Sequence, residues 1–170
     1  MYESSAELDS LQTLLDTSAA RAGSHLRSII TEERRLDAAS LCAELRGMRL
    51  LSAATVTADG RPLSGPVDGY FLHGSFWFST SRDSVRARHL SRRPAISVTH
   101  VPDEHLAVSA HGTATLFDFP EPDTGELRQA MLDHYLPLQG PEFRDWLDAM
   151  DDGVAVRVDA DKLFVFHMAD

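Results

Sequence analysis

The stretch Phe78–Leu90, FSTSRDSVRARHL, gathers side chains whose types and spacing suit one kind of chemistry, the holding of an anion. Four hydroxyls, on Ser79, Thr80, Ser81 and Ser84, sit beside Arg82, Arg86 and Arg88, with Arg92 and Arg93 just beyond and Asp83 the one acid among them. A helix starting near Asp83 sets Arg82 and Arg86 about one turn apart, so that their heads can converge. Ser84 then falls in the first turn, where unpaired backbone N–H groups add donors and a partial positive charge. Hydroxyls of Ser79, Thr80 and Ser81 arrive from the preceding strand end. Guanidinium, hydroxyl and N–H donors together make a phosphate socket. A plainer reading of the same residues is a solvated arginine helix whose hydroxyls are ordinary caps. Arg92 and Arg93, at the far end, suit a helix C-terminus.

Other reactive residues form weaker patterns. The eight histidines, His25, His73, His89, His100, His105, His111, His134 and His167, show neither a His-x-x-x-His nor a His-Glu-x-x-His spacing. His105 and His111 share strand parity but would lie ~20 Å apart along an extended chain. His100 and His105 flank a turn and could approach across it. Cys42, between Leu41 and Ala43, reads as a buried structural thiol. No Gly-x-Ser-x-Gly elbow is present. Trp77 alternates with Phe76 and Phe78 and so reads as packing, as do Tyr135, Phe143 and Trp146 on late helices.

The bulk properties limit the partners. The chain has 170 residues and a net charge of −10, with 43% hydrophobic and 25% charged residues. That length and balance suit one soluble domain with a substantial core. An acidic chain is repelled by nucleic acid and by anionic membranes, so neither is expected as a partner. No apolar run approaches ~18 residues, and the N-terminus lacks the basic start and apolar middle of a signal peptide. A single cysteine excludes an internal disulfide framework or a multi-cysteine metal site, and the expected compartment is the cytoplasm. Lys162 is the only lysine.

The elements that must position the arginine cluster follow from periodicity. Residues up to about 49 read as helical, with Leu8, Leu11, Leu14 and Leu15 on one face and a second helical stretch from His25 to Met48. From Leu50 the chain becomes rich in β-branched and aromatic residues. Strands are expected at about 50–57, 62–72 and 75–80, with Asp59-Gly60 as a hairpin turn whose two central residues both take positive φ. Pro62 and Pro66 make the second strand an edge, bulged or interrupted one. A short helix at about 83–91, a strand over Ala95–Val101 and a long strand with Gly112 as a bulge or close approach come next. Helices at about 124–136 and 141–150, split by Pro137, and two final strands around Asp159–Asp161 complete the reading. The fold class is mainly antiparallel β with peripheral helices, a barrel or sandwich of six or seven strands.

Between about Leu50 and Asp118 the sequence resembles the pyridoxamine 5′-phosphate oxidase-like family of flavin-binding split β-barrels. Phe78, Thr80, Ser84, Arg86, Leu90, Pro94 and Val98 match the central pattern of strand, small-residue turn, Ser-x-Lys/Arg and proline without a gap. TVTADGRPLSGPVDGYF resembles the first hairpin, and AVSAHGTATLFD the strand with a central Gly-x-Ala. The resemblance implies a six-stranded split barrel, placed over residues 50–170, and the helical residues 1–49 read from periodicity form an extension before it. It implies a homodimer with flavin in clefts between protomers. Ser79, Thr80, Ser81, Ser84 and Arg86 would surround the FMN phosphate, and Pro66, Val67 and Asp68 would run beside the isoalloxazine ring. It further implies hydride transfer with a small-molecule substrate, while naming no catalytic residue. Asp68 reads either as a proton donor to the ring or as a strand-end acid in solvent.

The departures from the family narrow this reading. Its vitamin B6 oxidases carry an arginine on the second strand where Gly65 falls, with Arg61 as a possible substitute. They also carry an Arg-x-x-x-Ser stretch and a C-terminal Trp with Arg-Leu, which this chain lacks. Vitamin B6 oxidation is not expected. The alternatives are an F420-dependent reductase, whose polyanionic cofactor would use Arg82, Arg88 and Arg92, and a non-catalytic flavin or haem carrier, with His167 as a candidate haem ligand.

Overall fold

A computed structural model describes Tyr2 to Met168. Six antiparallel strands, β1 (Arg49–Val56), β2 (Pro62–Leu72), β3 (Ser75–Ser81), β4 (Ala95–His100), β5 (Leu106–Phe119) and β6 (Gly153–His167), close into a barrel in the order β1-β2-β3-β6-β5-β4. Strand alternation fills its interior. Leu51 and Ala53, Phe76 and Phe78, Ile96 and Val98, Val108 and Ala110, and Val154, Val156 and Val158 all turn inward. The chain is thus a split-barrel β+α protein.

Six helices surround the barrel: α1 (Ser5–Arg21), α2 (Ser24–Ile29), α3 (Ala38–Glu44), α4 (Val85–Leu90), α5 (Gly125–Gln139) and α6 (Glu142–Asp148). Ser4 and Glu7 form a capping box at the start of α1. Leu11 and Leu15 on α1, with Leu41 and Leu45 at α3, join the barrel core. The Ser18 hydroxyl on α1 accepts the backbone N–H of Leu163 at 2.9 Å, a buried tie from helix to β6. A second apolar cluster lies outside the barrel wall, where Tyr70, Leu72, Trp77 and Ala155 meet Leu127, Met131, Phe143 and Leu147 of α5 and α6.

Several local expectations are corrected. The single helical stretch from His25 to Met48 is broken into α2, a 3-10 turn at Glu32–Arg34 and α3. Asp37 accepts the Ser40 N–H at 2.7 Å and caps a new helix there, so side-chain capping overrides the leucine spacing. At Asp59-Gly60 only Gly60 has positive φ, in a turn closed by Thr57 N–H to Arg61 carbonyl at 2.9 Å. The two-residue turn with positive φ at both centres is instead His73-Gly74, at 53° and 73°. α5 continues through Pro137 and ends at Gly140, since a proline two residues from the helix end removes only one terminal bond. The last two strands are one, β6. Asp161 is the extra residue of a bulge, where His111 pairs with Lys162 and Gly112 with Ala160. A Cβ on Gly112 would stand 2.1 Å from the Asp159 carbonyl, so this glycine is the point of close approach, while the bulge lies opposite it on β6.

The proline-bearing strand positions the site. β2 pairs with β1 along Pro62–Gly69, but β3 joins it only from Gly69 onward. Residues 62–68 therefore present an edge with no strand on the side away from β1, where a proline is tolerated.

Candidate functional site: an arginine against the open edge of the second strand

α4 fills the gap beside that edge. Its N-cap is Ser84, whose Oγ accepts the Ala87 N–H at 3.0 Å and the Thr80 hydroxyl at 3.1 Å. A hydroxyl has two acceptor lone pairs and one donor hydrogen. Both lone pairs of Ser84 are used, which leaves its O–H to donate outward. Arg86, two residues into the helix, donates from Nη2 to the Pro66 carbonyl at 3.3 Å. Its guanidinium lies 5.9 Å from the centre of the Phe78 ring. The side chain is half-buried, and that burial pulls the pKa of Arg86 below the ordinary arginine value. A Cβ on Gly65 would come within 3.2 Å of Arg86 Nη2, so glycine there gives the guanidinium its room.

These residues line a cleft of about 200 Å³, with Ala53, Thr55, Leu63 and Ser64 completing its walls. Arg86 is the one charged residue among its lining groups, and no carboxylate faces it. In a chain of net charge −10, the cleft sets a partly buried guanidinium in a lining without carboxylates, an environment that suits an anion. A wider depression of about 340 Å³ adjoins it over the outer faces of β1, β2 and β4, sharing Ser64 and Gly65. Leu50 and Val101 line this depression and are 59% and 57% exposed.

The rest of the predicted cluster is dispersed. Strand parity puts Thr80 on the face of Phe76 and Phe78 and puts Ser79 and Ser81 on the other. Ser79 Oγ meets Met131 Sδ at 3.9 Å, and Ser81 Oγ donates to Asp152 at 2.8 Å. Arg82 precedes α4 and pairs with Asp118 on β5, so the expected convergence of Arg82 and Arg86 does not occur. Arg88 bonds the Asp83 carbonyl. The backbone N–H of Arg93 closes the end of α4 on the His89 carbonyl at 2.8 Å, while its side chain donates from Nε to the Val56 carbonyl of β1 at 3.2 Å. Arg61 pairs with Asp59 at 2.9 Å in the exposed hairpin turn. It stands five residues, ~16 Å along a strand, from Pro66 and does not substitute for an arginine at Gly65.

Farther along the open edge, Val67 turns into the core while Asp68 is exposed and accepts a hydrogen bond from the Tyr135 hydroxyl on α5. Burial first, and then the Asp68 carboxylate, push the Tyr135 phenol up to about 12. Asp68 is therefore a paired acid, not a bare strand-end one. Tyr135, Phe143 and Trp146 continue as a run of ring contacts at 4.8 and 5.4 Å. The Asp68–Tyr135 pair spans elements far apart in sequence. Its one sequence signal is the parity that puts Asp68, Tyr70 and Leu72 on the face that α5 covers.

The histidines are dispersed. His100 bonds the Leu50 carbonyl, His111 Ser97, and His89 Thr55, and His167 closes β6 opposite Leu106. Among the described residues no cluster of three or more His, Cys, Asp or Glu could hold a metal. The Cys42 thiol is pushed up to about 12, chiefly by burial, which leaves it a packing group. No helix among the described residues is long and apolar enough to cross a membrane.

Comparison with known proteins agrees with the barrel. The family model for pyridoxamine 5′-phosphate oxidase matches residues 40–147. No curated protein matches the chain. Among solved structures, the haem storage protein HutZ from Vibrio cholerae is 20% identical, covering 75% of this chain and 91% of its own, with a TM-score of 0.60. An F420 reductase is 20% identical, covering 72% of this chain and 94% of its own, with a TM-score of 0.56. A pyridoxamine 5′-phosphate oxidase-related, FMN-binding protein from Nostoc punctiforme is 18% identical, covering 70% of this chain and 74% of its own, with a TM-score of 0.53. At such identities the likeness is one of fold.

Proposed function

Because the chain belongs to the pyridoxamine 5′-phosphate oxidase family, we propose that it is an FMN-binding oxidoreductase acting on a small molecule, with the FMN phosphate held in the cleft of Arg86. The observation that carries this reading is the acid-free cleft with Arg86 as its one charge. The donor set fits a phosphate monoester. Arg86 offers a fork of N–H groups, Ser84 an outward O–H, and Thr80 fixes Ser84 in place. FMN supplies the two-electron chemistry when bound. The chain orients it. The open edge of Pro66, Val67 and Asp68 offers main-chain groups to a flat ring, and Asp68 with Tyr135 sets a hydrogen-bonded carboxylate and phenol beside that edge.

The exposed Leu50 and Val101 around the adjoining depression support a homodimer whose interface closes the cleft. A cytoplasmic setting goes with this reading. Vitamin B6 oxidation does not, since Gly65 stands where those oxidases have an arginine and Arg61 is held away by Asp59. The chemistry of the arginines also favours FMN over F420. Of Arg82, Arg88 and Arg92, the arginines a polyanionic tail would use, Arg82 and Arg88 are engaged within the chain.

The purified protein tests this directly. Yellow protein that releases FMN on denaturation and oxidises a reduced nicotinamide is the expected result. A haem Soret band, or colourless protein that binds added F420 but not FMN, would set the reading aside.

A further inference from the structure

The helical extension encloses a cavity that is separate from the Arg86 cleft. It measures about 270 Å³ and lies between α1, α2, the 3-10 turn, the start of α3 and the end of β6. Leu15, Ala19, Leu26, Leu36, Leu163 and Val165 make most of its wall apolar. Arg35 is one of the lining residues. This side chain is half-buried, and its Nε is fully buried with no hydrogen-bond partner among the described residues. Its one bond, from Nη2 to the Ile30 carbonyl, is a long 3.4 Å. A buried guanidinium N–H without an acceptor is costly, and each such group calls for an explanation.

The other charges around the cavity are committed or exposed. Arg27 donates to the carbonyls of Ala20 and Ala22, closing α1. Asp16 accepts from Gln12, and Asp37 caps α3 through Ser40. Asp16, Glu32 and Asp37 also line the cavity and are exposed. What remains is a partly apolar lining and a guanidinium whose Nε has no hydrogen-bond partner among the described residues.

We propose that this cavity binds a small amphipathic carboxylate, its acid group on Arg35 and its apolar body among Leu15, Leu26, Leu163 and Val165. At ~30 Å³ for each water-sized group, 270 Å³ holds about nine non-hydrogen atoms, the size of a medium-chain or aryl-alkyl acid. The guanidinium fork matches a carboxylate in two-point geometry, and the chamber supplies the hydrophobic term. The site belongs to the extension and is independent of the cofactor proposal.

Calorimetric titration of the full chain with sodium octanoate tests it, with 1-octanol and octylamine as probes of the same tail and a different head. One saturable octanoate site is expected, at least tenfold tighter than octanol, with no octylamine binding. Arg35→Met should weaken octanoate at least tenfold and leave octanol unchanged. Ala19→Phe, which fills the chamber, should abolish both. Absence of saturable octanoate binding overturns the proposal, as does octylamine binding equal to octanoate, which requires no variant to fold. Octanoate binding that survives Ala19→Phe in folded protein overturns the assignment to this cavity.

Discussion

At the scale of single residues, Arg86 is distinguished by what is missing around it. Arg82 of its cluster pairs with an acid and Arg88 and Arg93 bond carbonyls, whereas Arg86 combines one carbonyl at 3.3 Å with a cleft without carboxylates. Gly65 is its silent partner. Gly65→Ala replaces a strand glycine, a change that ordinarily stabilises by ~0.5–1 kcal/mol, yet its Cβ would crowd Nη2 at 3.2 Å. The expected outcome is an unchanged or higher melting temperature with FMN affinity lowered about two- to fivefold, as read by flavin fluorescence titration. Loss of stability without loss of affinity would show that Gly65 serves the strand and not Arg86. The Thr80–Ser84–Arg86 group was legible in sequence because it is local: a strand end, a cap and a first turn lie within seven residues. Ser79 and Ser81 share that stretch, but strand alternation turns them to the face opposite Thr80. Asp68 and Tyr135 could not be paired from sequence, since the barrel wall and α5 must both exist before they meet.

At the scale of elements, the His73-Gly74 turn joins three parts of the molecule. His73 is held from both sides, by Glu7 of α1 at 2.9 Å and by Glu126 of α5. Burial pulls its pKa down, but the bonds and charges of Glu126 and then Glu7 carry it above the ordinary value. The bond to Ser4 first, and also His73, hold Glu7 below its ordinary value. The signs follow from linkage. A raised His73 contributes stability that is complete below about pH 6.5, the unfolded value, and is lost as pH rises through its folded pKa. A lowered Glu7 contributes above about pH 4.3 and loses its share as pH falls further. The clasp is therefore strongest in mildly acidic solution. His73→Gln should flatten the fall in melting temperature between about pH 6 and 9, with a difference of no more than about 1 kcal/mol, because the side chains are 37–58% exposed. An unaltered pH profile would remove the clasp. Strand positions and the short helix α4 were readable from alternation and capping. The break between α2 and α3 and the unity of β6 were not, because a competing cap at Asp37 and a bulge at Asp161 leave the residue pattern almost unmarked.

At the scale of the whole molecule, the barrel's order leaves a split beside β2, and the proposed site would be closed there by a second copy. The cleft of Arg86 opens onto a depression edged by exposed Leu50 and Val101, and a stable apolar face of that kind is normally covered. The wild-type chain is expected to sediment as a dimer. Leu50→Glu combined with Val101→Glu should give a folded monomer with weakened flavin binding, and an unchanged dimer would place the interface elsewhere. The antiparallel fold is legible in the hairpins and in the family resemblance. The chamber under α1 and α2 is not, because it depends on where a broken helical segment lands on β6.

The claim on which the functional reading rests is that Arg86 holds a phosphate. The most direct test is the affinity of the intact protein for FMN against riboflavin, the same ring without the phosphate, in the wild type and in Arg86→Ala. The expected result is FMN bound at least tenfold tighter, about 1.4 kcal/mol, with that preference lost in folded Arg86→Ala. Equal affinity for the two flavins in the wild type, or a preference for FMN that survives the substitution, would contradict it.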